Sequence, residues 1–164
     1  MDRDSLRAER GIPFGQDIEG QEVISDTIRY FFSKYKYLYE ERIAHLIFYA
    51  DYRHYQEHSE QLTGAQYESR VFGVWSDEIH VEMKELDLTY YTVYRSGQKT
   101  KKYTDAPDGA FTNTDTDFLD KIHAETREIP TDKLVRFALS LPMCEAVSHG
   151  ERMEFSVDSG PTGL

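Results

Sequence analysis

Three side chains that could bind a metal ion recur at helical spacing between residues 51 and 58. His54 and His58 are four residues apart, and Asp51 precedes His54 by three. In a helix this spacing places two imidazoles and a carboxylate on one face. Glu57 does not complete the His-Glu-x-x-His motif, and no other part of a known metal signature is present. A solvated polar helix end, with Asp51 tied to neighbouring backbone, is the favoured interpretation. The alternative is a metal-assisted enzyme that uses Asp51, His54 and His58.

One basic patch interrupts an otherwise acidic sequence: Arg95, Lys99, Lys101 and Lys102. A functional interpretation is a contact for an acidic protein or for RNA, and the alternative is an edge strand that charge protects against aggregation. The net charge of -11 disfavours nucleic acid, because phosphates would be repelled. A protein partner and a guarded edge therefore remain open.

Three single residues have both a functional and a structural interpretation. Gly73 indicates a backbone angle open only to glycine. Trp75 is either an anchor for a partner or a core residue. Cys144, the one cysteine, is expected to be a small buried hydrophobe and excludes an internal disulfide. The sequence contains no nucleophile elbow, phosphate loop or dinucleotide fingerprint, so we predict neither catalysis nor a cofactor.

A long helix at about 38–57 must position these groups. Its middle, Ile43 to Ala50, is apolar on every side, which predicts a helix surrounded by other elements. Further helices are predicted at about 21–35, at 77–86 after the N-cap Ser76, at 116–128 and at 131–141, with a last helix or turn at 143–149. Residues 66–74 are irregular or a short strand, and the segment Met153–Val157 is a candidate strand.

A β-hairpin is predicted at about 88–104. A turn at Ser96 and Gly97 sets Tyr94 opposite Lys99, Thr92 opposite Lys101 and Tyr90 opposite Tyr103. The predicted fold class is therefore mainly α: a compact helical domain around a buried central helix, with one β-hairpin. Residues 1–20 are expected to form an irregular arm, 21–157 a single domain and 158–164 a flexible tail.

The composition is that of an acidic globular protein. A chain of 164 residues fits one domain with a real core. No apolar run reaches the ~18 residues of a membrane span, and the N-terminus lacks the apolar core of a signal peptide. We therefore expect a cytoplasmic protein. Thirty acidic against 19 basic residues would also suit a salt-adapted host.

The segment 43–86 resembles the Panacea domain, the SocA-like antitoxin family. The family pattern is an apolar helix ending in Tyr-x-Ala-Asp-x-x-His, a Thr-Gly turn, an aromatic residue, Tyr/Phe-Gly-Pro, and a helix opened by Ser-Glu-Ile. The matching residues are Tyr49, Ala50, Asp51, His54, Thr63, Gly64, Tyr67, Phe72, Gly73, Ser76, Glu78 and Ile79. Val74 departs from the pattern, because the family usually has proline there. A looser likeness extends over about 22–150.

This resemblance implies an antitoxin, a protein that neutralises a cognate toxin by binding it directly. Some relatives are regarded as adaptors that deliver the toxin to a protease, and others accompany toxins of several unrelated chemistries. The family has no agreed catalytic residues, so none is assigned here. The residues proposed to bind the partner or to carry the family motif are Tyr49, Asp51, His54, Thr63, Gly64, Tyr67, Gly73, Trp75 and Ser76. A phage-linked or virus-linked interaction protein without a toxin is a further alternative.

Overall fold

The computed structural model describes residues 18–95, 97–104, 106, 109–156 and 160–164. These residues form six helices and five short strands. The helices are α1 (Ile18–Ser33), α2 (Glu40–His58), α3 (Asp77–Glu85), α4 (Thr116–Thr126), α5 (Thr131–Ser140) and α6 (Pro142–Glu145). The strands are β1 (Leu38–Tyr39), β2 (Glu68–Arg70), β3 (Gly73–Trp75), β4 (Tyr90–Arg95) and β5 (Gln98–Tyr103).

The central position of α2 is confirmed. Every residue from His45 to Tyr52 is buried, as is Ile43, and α1, α4, α5 and β3 all contact this helix. An apolar surface that runs around a helix needs this enclosure, because each exposed side would leave hydrocarbon in water. The predicted start at residue 38 is early by two residues, since Leu38 and Tyr39 form β1. Within the described part of the chain, no helix has the length and apolar character needed to cross a membrane.

The hairpin of β4 and β5 has the predicted register. Tyr90 lies opposite Tyr103, Thr92 opposite Lys101 and Tyr94 opposite Lys99. Gly97 in the turn has a φ of 78°, a conformation that glycine adopts without strain. Ser96, the other predicted turn residue, lies outside the described residues. β1 pairs with β5, so the strand order of this sheet is β1-β5-β4.

The fold class needs a correction: the chain is mixed rather than purely mainly α. Helices hold 49% and strands 15% of the described residues, which is a helical body with two small sheets. The second sheet is the hairpin of β2 and β3, within the segment expected to be irregular or a short strand. The described residues 153–156 of the candidate strand are not in a strand, and Val157 lies outside the described residues. Arg152, just before this segment, forms an isolated bridge to Glu68.

The two chain ends bear on the expected boundaries. Residues 1–17 of the expected arm lie outside the described residues, whereas 18–20 belong to α1. Near the other end, the Pro161 carbonyl oxygen accepts hydrogen bonds from Tyr52 and Gln56, and the Leu164 backbone N–H donates to the Tyr49 hydroxyl at 3.3 Å. The described end of the expected tail therefore contacts α2. The division into arm, single domain and tail stays a prediction.

Candidate functional site: a cleft between two hairpins

Three of the predicted site residues meet inside the protein. The Asp51 carboxylate accepts hydrogen bonds from the Thr63 backbone N–H at 2.7 Å, from the Thr63 hydroxyl at 2.5 Å and from the Tyr67 hydroxyl at 2.7 Å. Burial raises the pKa of Asp51, and the bonds from Thr63 and Tyr67 oppose that rise. Burial and the neighbouring Asp51 charge raise the pKa of Tyr67 well above its ordinary value. Asp51 is fully buried, so this cluster fixes the connection after α2 and is closed to a partner.

The metal hypothesis is not supported by the side-chain geometry. The His54 Nδ1 donates to the Glu60 carbonyl oxygen at 2.7 Å, and the His54 and His58 ring centroids are 4.5 Å apart. Asp51 instead faces Thr63 and Tyr67. The part of the chain that the structure describes contains no group of three or more His, Cys, Asp or Glu side chains that could hold a metal ion.

The other motif residues have local structural contacts. Gly64 has a φ of 72° in the turn after α2. The Ser76 hydroxyl caps α3 by accepting from the Ile79 backbone N–H at 3.4 Å, as its N-cap assignment predicts. Tyr49 is buried with its ring against Phe137, and burial raises the pKa of its hydroxyl. Tyr49 and Ser76 are thus buried away from a partner, whereas Gly64 is exposed but has no side chain to contribute.

His45, which the sequence interpretation missed, joins β3 to α2. Its Nδ1 donates to the Glu41 carbonyl oxygen at 2.7 Å, and its Nε2 accepts from the Val74 backbone N–H at 3.1 Å. One nitrogen donates and the other accepts, so the ring is neutral, and burial lowers its pKa to about 4. A histidine within the apolar run of α2 is the signal that could have identified it.

Gly73 allows His45 to approach the backbone this closely. Its φ is 143°, and a Cβ there would lie 2.6 Å from the His45 Cε1 and nearer still to Nε2. Both the backbone angle and the contact require glycine, which is the role the sequence indicated. The position of the second hairpin therefore depends on one glycine and one imidazole.

A cleft of about 1110 Å³ lies above His45. Its walls are the β2–β3 hairpin, the tip of the β4–β5 hairpin and one side of α5, with the start of α2 beneath. Arg42 holds the α5 wall in place, since its guanidinium donates to the carbonyl oxygens of Thr126 at 3.1 Å and of Ile129 at 2.8 Å. The cleft is thus built on the core helix rather than on a loose loop.

Exposed apolar side chains rim this cleft. Val71 and Phe72, which connect β2 to β3, are 61% and 65% exposed. Trp75 is half-buried on the same wall; its Nε1 donates to Asp77 at 2.9 Å, and the Arg70 guanidinium carbon lies 5.1 Å from its ring centroid. A phenylalanine with two thirds of its surface in water is a feature of binding surfaces rather than of stable cores.

Charges of both signs surround the apolar rim. The lining includes Arg70, Arg95, Lys99, Arg136, Glu40, Glu41 and Asp132. A hydrogen bond to His80 lowers the pKa of Glu40, whereas burial raises the pKa of Glu41 against the influence of Arg95. Polar groups around an apolar centre are the usual composition of a protein-binding surface.

Three cations of the basic patch lie on the middle strand of a sheet, and the fourth lies on its outer strand. Lys99, Lys101 and Lys102 lie on β5, which is the middle strand of its sheet. The Lys101 ammonium lies 4.8 Å from the Tyr90 ring centroid and that of Lys102 lies 4.3 Å from Tyr37. β1 pairs only with Lys102 and Tyr103, so the part of β5 that carries Lys99 and Lys101 is paired on one side, with β4. Arg95 is the last residue of the outer strand β4. The guarded edge and the partner contact therefore both stay open as interpretations.

The fold and the cleft together define a small helical domain with a hairpin-walled surface suited to binding. The sequence model of the antitoxin SocA-like, Panacea domain family matches residues 43–141. This match covers more than half of the chain, and the protein belongs to that family. Comparison with curated proteins finds no match, and comparison with solved structures finds none either.

Proposed function

We propose that the protein is an antitoxin that neutralises a cognate protein toxin by direct contact, and that the toxin sits against the cleft rim around Phe72. Family membership supports the antitoxin role. The observation that carries the location is the pair of exposed apolar side chains, Val71 and Phe72, at the mouth of the cleft. Their burial against a partner would remove apolar surface from water, which is the main driving force for protein association.

The buried family motif supports the same location. Asp51, Thr63 and Tyr67 satisfy one another inside the protein, so these residues are poor candidates for a toxin contact. His45 and Gly73 fix the hairpin that carries Phe72. The buried motif residues therefore shape the surface, and exposed residues such as Phe72 make the contact.

The experiment is a rescue assay with the product of the adjacent gene as the toxin. Cells that express this product alone should stop growing, and co-expression of the protein should restore growth and yield a complex on purification. Phe72→Ala should weaken rescue, whereas Leu164→Ala, which removes an exposed apolar side chain outside the cleft, should not. A neighbouring product that is harmless when expressed alone would refute the proposal and favour an interaction protein without a toxin.

Two further parts belong to the same proposal. The protein has to bind a toxin that is made in the same cell, so it acts in the cytoplasm. Delivery of the bound toxin to a protease, as some relatives are regarded as doing, would shorten the toxin's lifetime. Toxin levels followed after synthesis is blocked should fall faster with the protein than without it if delivery occurs, and should be unchanged or higher if contact alone neutralises.

A further inference from the structure

Strand β4 is an open edge. In the sheet order β1-β5-β4, the described residues pair with β4 on one side only. The strand is Tyr-Tyr-Thr-Val-Tyr-Arg, with Tyr91 61% and Tyr94 75% exposed. It has no proline or glycine, and its one charge is at the end. Natural edge strands usually carry proline or charged side chains, because an unprotected edge pairs with other chains.

The hydrogen-bonding groups that face outward can be assigned from the register. The Thr104 backbone N–H donates to the Thr89 carbonyl oxygen at 3.2 Å, so these opposite residues form a hydrogen-bonded pair. Such pairs alternate along antiparallel strands, which assigns the backbone groups of Tyr91, Val93 and Arg95 to β5. The backbone N–H and C=O groups of Tyr90, Thr92 and Tyr94 therefore point to the open side.

Charge decides which occupant suits this edge. β4 and β5 together carry four cationic residues and no Asp or Glu, although the whole chain has a net charge of -11. A second copy paired through β4 would bring two such basic sheets together. An extended segment with acidic side chains would meet opposite charge instead.

We propose that β4 binds an extended acidic segment of the partner protein, which adds a fourth strand to the sheet. Main-chain bonds to Tyr90, Thr92 and Tyr94 supply the pairing, and Arg95 with Lys99 supplies the charge preference. Arg95 and Lys99 also line the cleft, so one segment can extend from the edge to the cleft. That the partner is a toxin rests on the proposed function, whereas the strand pairing does not.

The test uses the full chain and the capped peptide Glu-Tyr-Glu-Val-Glu-Tyr-Glu as the probe. Amide exchange followed by NMR should slow at Tyr90, Thr92 and Tyr94 when the peptide is added. The counterpart with lysine in place of glutamate should bind at least about tenfold more weakly. Raising the sodium chloride concentration from about 50 to about 500 mM should weaken binding of the acidic peptide, because exposed charges are screened.

Two variants separate main-chain pairing from charge. Thr92→Pro removes an outward N–H that the hairpin does not use, and should abolish the slowed exchange at Tyr90 and Tyr94. Arg95→Glu combined with Lys99→Glu should lower affinity about tenfold. The matched control, Lys133→Glu with Arg152→Glu, makes the same change in net charge at exposed sites outside the cleft and should bind like the parent protein.

Three results would overturn the inference. The first is unchanged exchange at Tyr90, Thr92 and Tyr94 with peptide present, and the second is equal binding of the lysine peptide. The third is a mass near twice 19.2 kDa in light scattering that Thr92→Pro returns to 19.2 kDa, since a second copy would then occupy the edge. Failure of the rescue assay would contradict the identification of the partner as a toxin, whereas the peptide experiment would still test the strand pairing.

Discussion

Replacement of His45 by glutamine should remove a defined part of the pH dependence of folding. In the native protein the imidazole is buried and neutral, with its pKa lowered to about 4. In the unfolded chain it has an ordinary pKa near 6.5. The difference corresponds to roughly 3 kcal/mol, at about 1.36 kcal/mol for each pKa unit.

The sign follows from proton binding. Above pH 6.5 the imidazole is neutral in both states, so its contribution to stability is fully present. Between pH 6.5 and about 4 the unfolded chain binds a proton that the native protein does not, and the free energy of unfolding falls as the pH falls. Below about pH 4 both states are protonated and this loss is complete.

The assay is urea unfolding of the parent protein and of His45→Gln between pH 7 and pH 4. At pH 7 the variant should be less stable by about 1 kcal/mol, because the bond to the Glu41 carbonyl oxygen is lost. As the pH falls, the parent should lose roughly 3 kcal/mol more than the variant. The carboxylates are common to both proteins, so their titration cancels in the difference. Parallel curves across this pH range would refute the buried neutral imidazole.

Three further outcomes are expected. In urea unfolding, Gly73→Ala should destabilise the protein by about 2–4 kcal/mol, because the methyl group would meet His45. Gly64→Ala should cost about 1 kcal/mol, because Gly64 has a positive φ but open space around it. Equal losses would contradict the contact between Gly73 and His45. Asp51→Ala should cost about 3–5 kcal/mol by leaving its buried donors unpaired, and a loss below about 1 kcal/mol would show that the cluster is open to water. Phe72→Ala should weaken partner binding at least about tenfold in calorimetry and should change the free energy of unfolding by no more than about 0.5 kcal/mol. Unchanged affinity would contradict a toxin contact at the cleft rim.

Local sequence patterns predicted the elements that depend on neighbouring residues. The all-round apolar surface of α2, the Ser76 cap and the hairpin register each follow from contacts a few residues apart, and the structure has all three. The family predicted from the resemblance is also confirmed, because the order and spacing of the motif residues are properties of the sequence itself.

Long-range pairing was beyond the same reasoning. Nothing near Lys102 indicates that β1, some sixty residues earlier, pairs with the end of β5, so the sequence predicted the hairpin but not the third strand of its sheet. His45 was missed because its acceptor role involves Val74, 29 residues away. The cleft combines α2, α5 and both hairpins, and such a surface exists only once the chain is folded.

The inward orientation of the Asp51 cluster has a consequence for how this protein can evolve. Substitutions of exposed hairpin residues such as Phe72, Tyr91 or Tyr94 do not touch the bonds that hold Asp51 to Thr63 and Tyr67. Exposed positions of this kind change stability little, so a lineage can exchange its recognition surface while the scaffold stays the same. A few surface mutations could thereby let the same scaffold bind chemically unrelated partner proteins.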